Sequence, residues 1–248
     1  MEFSHDSVKP YEEGSNSKKA EVAKMFDNIA PKYDLLNKVL SLGIDKIWRR
    51  KAIKLLGSDQ PKQVLDVATG TADVAIEIAR QLPDSQITGV DISKEMLAFG
   101  DEKLEKLNLQ DQIQLKLGDS EKLGFEDNTF DAVSVAFGVR NFENLVQGIT
   151  EIHRVLKPGS KVVILEFSKP RIFPFRQIYN GYFKYILPAI GRLSSKDPKA
   201  YRYLYESVQA FPDGDAFLDV LQKIGFKNNR NLPLSLGICS IYVGEKSA

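Results

Sequence analysis

The chain has 248 residues, of which 43% are hydrophobic and 27% charged, with 34 Lys and Arg against 33 Asp and Glu. This length suits one large domain with a sizeable core, and the composition excludes wholesale disorder. The near-neutral charge argues against a dedicated nucleic-acid binder, whose partner is a polyanion. Cys239, the single cysteine, cannot form an internal disulfide, and no Cys/His cluster has zinc spacing, so we predict no metal site.

The sequence carries no recognisable signal for export or membrane insertion. Its first residues lack the charged-then-apolar layout of a signal peptide. No uninterrupted apolar run approaches the roughly 20 residues that a membrane span needs. We therefore predict a cytoplasmic protein whose membrane contact, if it has one, is peripheral.

Residues 1–16 are polar and lack periodicity, which is typical of a flexible tail. Helical spacing of apolar residues begins near Lys18, is interrupted at Pro31 and ends at Gly57, a C-cap residue. The pattern predicts an N-terminal helical region over 17–57, at the start of a single domain over 17–248.

After Pro61, short apolar runs alternate with helical stretches. The runs 64–68, 87–91, 113–117, 130–136 and 161–167 are predicted strands, and the helical stretches between them predict a parallel sheet covered on both faces. A helix over 215–225 is followed by two late strands, starting at Phe226 and covering 238–243. These indicate a hairpin that adds an antiparallel strand at the sheet edge.

Three polar features follow successive predicted strands, where ligands bind to open parallel sheets. The turn 66–73 offers small residues and the N–H groups of a helix N-terminus, but Gly70 is its one glycine, which disfavours a dinucleotide. Asp91 can accept two ribose hydroxyls, and Asp119 an adenine amino group. The alternative is that both aspartates cap the next helices. All three features together favour an adenosine-bearing ligand.

These motifs resemble those of class I S-adenosylmethionine-dependent methyltransferases. The segments 33–37 and 154–168, with 137–141 and Phe211-Pro212, are similar to the signatures of the quinone-biosynthesis C-methyltransferases, which methylate demethylmenaquinol and the corresponding ubiquinone precursor. The resemblance runs from about Val22 to Gly244. It implies a Rossmann-like α/β fold with a mostly parallel seven-stranded sheet, an antiparallel edge strand, N-terminal helices and a helical cap over about 169–210.

The resemblance also implies S-adenosyl-L-methionine as the cofactor and a prenylated quinol as the substrate. Its implied cofactor-binding residues are Asp66, Ala68, Gly70, Thr71, Asp91, Ile92, Asp119 and Ser120. The sequence departs from the family pattern at four positions: Ala136 replaces a frequent cofactor-binding serine, Leu36 a methionine, Asp45 a histidine and Tyr242 a histidine. These departures put in doubt the roles of those side chains, but not the reaction class.

Carbon methylation requires the nucleophile to be held about 3–3.5 Å from the methyl group, with water excluded. A quinol carbon is a poor nucleophile until a ring hydroxyl loses its proton. Arg140 and Asn141 follow the fourth strand, and Arg140, which stays protonated, can stabilise a phenolate or orient a water. Tyr33 is the second candidate. The alternatives are a loop-fixing ion pair for Arg140 and lid packing for Tyr33.

Residues 169–205 interleave basic and aromatic side chains and contain one acid, Asp197. We hypothesise a mobile cap that binds the prenyl tail and touches anionic lipid, the alternative being an ordinary packed helical cap. The competing functions are methylation of another small molecule and a non-catalytic nucleotide-binding scaffold. The sequence leaves open a homo-oligomer, the ring type, the prenyl length and the proton acceptor.

Overall fold

Seven strands form one sheet in the computed structural model, which describes residues 3–11, 17–41, 43–181 and 198–248. Their order across the sheet is β3-β2-β1-β4-β5-β7-β6. The first five strands are parallel, and β7 is antiparallel to both of its neighbours, one place in from the edge strand β6. The strands are β1 (Gln63–Val67), β2 (Gln86–Asp91), β3 (Ile113–Leu117), β4 (Phe130–Ala136), β5 (Leu156–Phe167), β6 (Phe226–Leu234) and β7 (Cys239–Lys246).

This arrangement is the mostly parallel seven-stranded sheet that the resemblance implies. Strand β1 lies at its centre, with Val64, Leu65 and Val67 buried, as expected for a strand covered on both faces. From β1 the chain runs outward to β2 and β3, then returns to the other side of β1 for β4 and β5. The strand order therefore reverses between β1 and β4, and the ligand site is expected beyond their carboxyl ends.

Helices cover both faces of the sheet. Trp48 and Ile53 of α3 and Ala75 of α4 contribute to the apolar core on one face. Ile149 of α6 and Phe217 of α9 contribute to the core on the other. The helices are α1 (Lys18–Ile29), α2 (Tyr33–Ser41), α3 (Ile44–Leu56), α4 (Asp73–Gln81), α5 (Lys94–Leu107), α6 (Leu145–Val155), α7 (Phe175–Gly181), α8 (Pro198–Ala210) and α9 (Asp215–Ile224).

The N-terminal helical region predicted over 17–57 consists of α1, α2 and α3. The Ser17 hydroxyl caps α1 by accepting from the backbone N–H of Ala20. Pro31 lies in a short 3-10 helix, Ala30–Lys32, that separates α1 from α2. Gly57 follows the last residue of α3, as predicted.

Residues 3–11 differ from the flexible tail expected over 1–16. A short 3-10 helix, Ser4–Ser7, lies in this segment, and His5 is fully buried. The buried Lys18 ammonium donates to the His5 carbonyl oxygen at 2.7 Å, which ties the segment to the start of α1. Lys18 and its hydrogen-bond partner His5 are 13 residues apart, so the local sequence pattern does not predict this contact. Residues 12–16 lie outside the described part.

The cap predicted over about 169–210 contributes α7 and α8 to the described residues. Residues 182–197 lie outside them, and with them the predicted helix face of Tyr182, Tyr185 and Ile186. Strand β5 begins at Leu156, five residues before the predicted start. Within the described ranges, no helix is both long and apolar enough to cross a bilayer.

Burial lowers the pKa of Lys18 to about 8, from 10.5, because the charged form loses hydration. The unfolded chain therefore keeps this proton at a pH where the folded protein has released it, and stability gains from Lys18 as pH rises from 8 toward 10.5. Relative to Lys18→Met, we expect the wild-type free energy of unfolding to rise by ~3 kcal/mol over this window. Urea unfolding at several pH values measures the difference.

Lys106→Met is the matched control, because Lys106 is exposed on α5. Its stability difference from wild type should stay constant over the same window. If the free energies of unfolding of wild type and Lys18→Met change with pH in the same way, burial does not lower the pKa of Lys18.

Candidate active site

A narrow cleft lies beyond the carboxyl ends of β1, β2, β3 and β4, where the strand order predicts a ligand. We call it the strand-end cleft, and its volume is about 70 Å³. It brings together six of the eight predicted cofactor-binding residues, which come from three separate segments, at the ends of β1, β2 and β3. These six are Ala68, Gly70, Asp91, Ile92, Asp119 and Ser120.

Asp91 forms one wall of the strand-end cleft and is 8% exposed. Its carboxylate accepts from the backbone N–H of Gly70 at 2.7 Å and of Ser93 at 2.9 Å. Burial raises the pKa of Asp91, and these N–H donors oppose the rise by stabilising the anion. The N-cap of α5 is Ser93, so helix capping does not account for Asp91. Its oxygens can accept further hydrogen bonds.

Asp119 lies at the other end of the cleft and is held by two partners. One carboxylate oxygen accepts from the backbone N–H of Glu121 at 2.9 Å. The other pairs with the Lys19 ammonium, which also reaches Glu121 at 3.2 Å. Lys19 of α1 therefore extends over the cleft and occupies the oxygen predicted to meet an adenine amino group.

Asp66 and Thr71 are not brought to the strand-end cleft. Asp66 is buried and accepts from the Thr69 and Ser134 hydroxyls, each at 2.6 Å, which brace the turn after β1. Burial raises its pKa to about 6. The Thr71 hydroxyl donates to Asp34 at 2.6 Å and accepts from the Lys103 ammonium at 2.9 Å. Both side chains stabilise the turn from outside the cleft.

A larger cavity of about 400 Å³ opens beside the cleft, and we call it the aromatic cavity. Its walls come from α1, α2, α3, α7 and α8 and from the loops after β1 and β4. Aromatic side chains supply much of this lining: Phe26, Tyr33, Trp48, Phe137, Phe167, Phe175, Tyr179, Tyr201 and Tyr203. Such a space suits an apolar ring with a few polar substituents.

The strand-end cleft and the aromatic cavity meet. The residues that line both are Phe26, Tyr33, Ala68, Gly70, Ala136, Phe137 and Asn141. A ligand in the cleft and a ring in the cavity would therefore have their reacting atoms side by side at this junction. Ala136, which replaces the frequent serine, adds no hydroxyl there.

Arg140 lines the aromatic cavity and is also held in a buried ion pair. Its Nη1 donates to Glu166 Oε1 at 2.7 Å and to the Phe137 carbonyl oxygen at 2.6 Å. Glu166 is fully buried, and Arg140 is 7% exposed. The loop-fixing pair considered from the sequence is therefore present. The Arg140 Nε atom, however, is buried without a hydrogen-bond partner among the described residues.

Asn141 and Tyr33 both face the junction. The Asn141 amide donates to the Phe137 carbonyl oxygen at 3.3 Å, while its Oδ1 finds no partner within the described part of the chain. Burial raises the pKa of the Tyr33 hydroxyl, which keeps it protonated. Tyr33 also packs edge-on against Phe26, which is the packing that the alternative predicts. His153 packs against Phe226 and lines neither space.

Sequence reasoning missed Trp48, Tyr201 and Tyr203 as lining residues of the aromatic cavity. The interleaved aromatics of 169–205 predict a cap that binds the prenyl tail, but their spacing does not show which tyrosines turn inward. Trp48 falls in the predicted helical region 17–57, whose periodicity does not show that its ring also borders a cavity.

Comparisons with known proteins agree with this geometry. Residues 14–246 match the model of the ubiE/COQ5 methyltransferase family. The demethylmenaquinone methyltransferase of Bacteroides fragilis is 46% identical over 247 residues, covering 99% of this chain and 100% of that protein. The ubiquinone/menaquinone biosynthesis C-methyltransferase UbiE of Geotalea daltonii is 47% identical over 226 residues, covering 91% and 96%. A putative S-adenosyl-L-methionine-dependent methyltransferase from Methanococcus maripaludis shares the fold, with a TM-score of 0.63 at 21% identity, covering 96% of this chain and 98% of that one.

Proposed function

Because this chain belongs to the ubiE/COQ5 methyltransferase family, we propose that it methylates a ring carbon of a prenylated quinol, converting demethylmenaquinol to menaquinol with S-adenosyl-L-methionine. The observation that carries this proposal is the junction between the strand-end cleft and the aromatic cavity. The corresponding ubiquinone precursor is a second candidate substrate, favoured by the name of the Geotalea relative.

The residues of the strand-end cleft fit this cofactor. Its sulfonium group supplies a methyl group that is already activated for displacement. We assign Asp91 to the ribose hydroxyls, Ile92 and Ser120 to the adenine surroundings, and Asp119 to the adenine amino group. The space in front of Gly70 is open, which allows a ligand to approach the backbone. Lys19 already pairs with one oxygen of Asp119, so an adenine amino group would share or compete for this carboxylate.

The residues around the aromatic cavity suit a quinol ring. Arg140 presents a positive charge to a largely apolar space, where it would stabilise a ring oxygen that becomes negative as the hydroxyl proton leaves. Asn141 and Tyr33 would orient the ring at the junction. The bond from the ring carbon to the methyl group would replace the methyl–sulfur bond, and the hydrogen of that carbon would leave as a proton to solvent. The apolar walls of the cavity would limit water around the reacting atoms.

Product analysis tests the proposed function directly. Purified protein is incubated with S-adenosyl-L-methionine and a panel of reduced demethylated naphthoquinols and benzoquinols, and the products are identified by mass spectrometry. We expect a gain of one methyl group on a ring carbon of the naphthoquinol. Methylation only of an oxygen or nitrogen, or no methylation of any panel member, would contradict the proposal and favour another small-molecule methyltransferase or a non-catalytic scaffold.

We also propose that the rim of the aromatic cavity contacts the bilayer, where a prenylated quinol resides. Phe173 is 78% exposed, and Ile44, Phe175 and Leu236 are also exposed at or beside cavity-lining positions. The segment 169–181 contains basic residues and no acid. Exposed rings beside cations match an anionic lipid surface. The cytoplasmic location and a homo-oligomer stay predictions from the sequence.

Removing the charged pair Arg140–Glu166 should slow methyl transfer. Arg140→Ala alone would leave a buried carboxylate unpaired, so the variant is Arg140→Gln with Glu166→Gln. We expect the single-turnover rate at saturating quinol to fall about 10²–10³-fold, because a preorganised cationic donor is lost. Affinity for S-adenosyl-L-methionine should change by less than about threefold.

The matched control removes a second ion pair, Arg154 with Glu151 at 2.8 Å, which lines neither cavity. Arg154→Gln with Glu151→Gln should turn over at a rate close to wild type. A wild-type rate in the Arg140 and Glu166 double variant as well would show that methyl transfer does not need the Arg140 charge.

Asp91→Ala should weaken binding of S-adenosyl-L-methionine about 5- to 150-fold, because hydrogen bonds to the ribose worth ~1–3 kcal/mol are lost. Calorimetry measures the affinity, and circular dichroism confirms folding. Asp84→Ala, at an exposed site paired with Lys62, is the control and should bind as wild type does. Unchanged affinity in folded Asp91→Ala would exclude this position of the cofactor.

Liposome co-sedimentation tests the membrane contact. We expect binding that increases with the fraction of anionic lipid and decreases with salt. Phe173→Ser with Arg176→Gln should weaken it severalfold, whereas the control Leu107→Ser with Lys106→Gln, at exposed positions of α5, should not. Absence of liposome association at low salt would rule out the contact.

A further inference from the structure

Two buried tyrosine hydroxyls line the aromatic cavity without a hydrogen-bond partner among the residues that the structure describes. They belong to Tyr201 and Tyr203 of α8. Tyr203 is only 2% exposed, so its hydroxyl also lacks easy access to bulk water. A buried, unpaired hydroxyl costs about 1–3 kcal/mol. A ligand that supplies an acceptor would recover this loss.

Tyr203 lies on the side of the cavity nearest the strand-end cleft. It packs with Val22 and Met25 of α1, and Val22 also lines the cleft. Burial raises the pKa of the Tyr203 hydroxyl above its usual range, and the nearby Arg140 charge offsets only part of that rise. The hydroxyl therefore stays protonated and can donate a hydrogen bond near Arg140.

Tyr201 lies on a different wall. It packs with Tyr179, in a cluster separate from that of Tyr203. Two residues along a helix rotate the side chain by about 200°, which explains the separation. The two tyrosines offer the same chemical group to the cavity, and only Tyr203 belongs to a cluster whose residues also line the cleft.

We propose that the Tyr203 hydroxyl donates a hydrogen bond to the quinol oxygen next to the methyl-accepting carbon, and shares that oxygen with the unpartnered Nε of Arg140. This inference rests on the proposed function for the identity of the ring. It makes Tyr203 a substrate-binding residue that stabilises the ring oxygen as its proton leaves. An apolar ring without the oxygen would leave both donors unsatisfied, which gives specificity for a phenolic ring.

A binding experiment tests the proposal without turnover. Trp48, the single tryptophan of the sequence, lines the aromatic cavity and reports on ring binding by its fluorescence. The probes are 1,4-naphthalenediol, kept reduced under anaerobic conditions, and 1,4-dimethylnaphthalene, which has the same shape without oxygens. We expect Tyr203→Phe to lower affinity for the diol about three- to tenfold and to leave affinity for the dimethyl compound unchanged.

The outcomes separate this proposal from the proposed function. A selective loss for the diol supports the role of Tyr203, even if the wild-type protein methylates no quinol and the proposed function fails. If Tyr203→Phe loses affinity equally for both probes, or for neither, Tyr203 is a packing residue and the proposal is overturned. If the wild-type protein does not bind the diol, the cavity does not take a phenolic ring, and the proposal is overturned as well.

The pH dependence of methyl transfer gives a second readout. Without the Tyr203 donor the hydroxyl of the bound ring becomes harder to deprotonate. The limb of kcat that rises with pH, which reports groups of the enzyme–substrate complex, should therefore shift upward by about half a pH unit or more. Tyr201→Phe removes the same atom from the other wall and should leave the limb in place. If the pH profile shifts equally in Tyr203→Phe and Tyr201→Phe, or shifts in neither, the assignment to Tyr203 is contradicted.

Discussion

The buried ion pair between Arg140 and Glu166 ties the loop after β4 to the carboxyl end of β5. Moving both charges out of water costs free energy, and further hydrogen bonds to the two side chains help to offset this cost. Arg140 gains one from the Phe137 carbonyl oxygen, and Glu166 accepts from the backbone N–H of Phe167 at 2.8 Å. Because the pair fixes this loop, Phe137 and Asn141 are held at the junction of the two cavities.

Much of the sheet and of the strand-end cleft could be predicted from the sequence because both follow from local patterns. Apolar runs alternating with helical spacing specify a parallel sheet, and polar residues at successive strand ends must then converge. Asp91 and Asp119 line the same cleft, as this reasoning expects. Asp66, which the resemblance adds to the cofactor-binding residues, does not line it, and nothing in the local pattern shows that Ser134, on a neighbouring strand, offers that carboxylate a hydroxyl.

The parts that could not be predicted depend on contacts between distant segments. Lys19 reaches Asp119 across 100 residues, and Lys18 reaches the His5 carbonyl oxygen from the next segment. Composition made residues 1–16 look unstructured, although residues 3–11 pack against the domain. The aromatics of the cap were visible in the sequence. Which of them turn inward depends on how α8 is rotated against α1, and this is a tertiary property.

Two consecutive lysines at the start of α1 contact both parts of the site. Lys19 pairs with Asp119 in the strand-end cleft, and the Lys18 ammonium lies 3.4 Å from the carbonyl oxygen of Arg140, which lines the aromatic cavity. A ligand that displaces Lys19 therefore perturbs the same helical turn that supports the Arg140 loop. If that perturbation reaches the Arg140 loop, thermodynamic linkage requires that an occupant of the cleft and an occupant of the aromatic cavity change each other's affinity by the same factor.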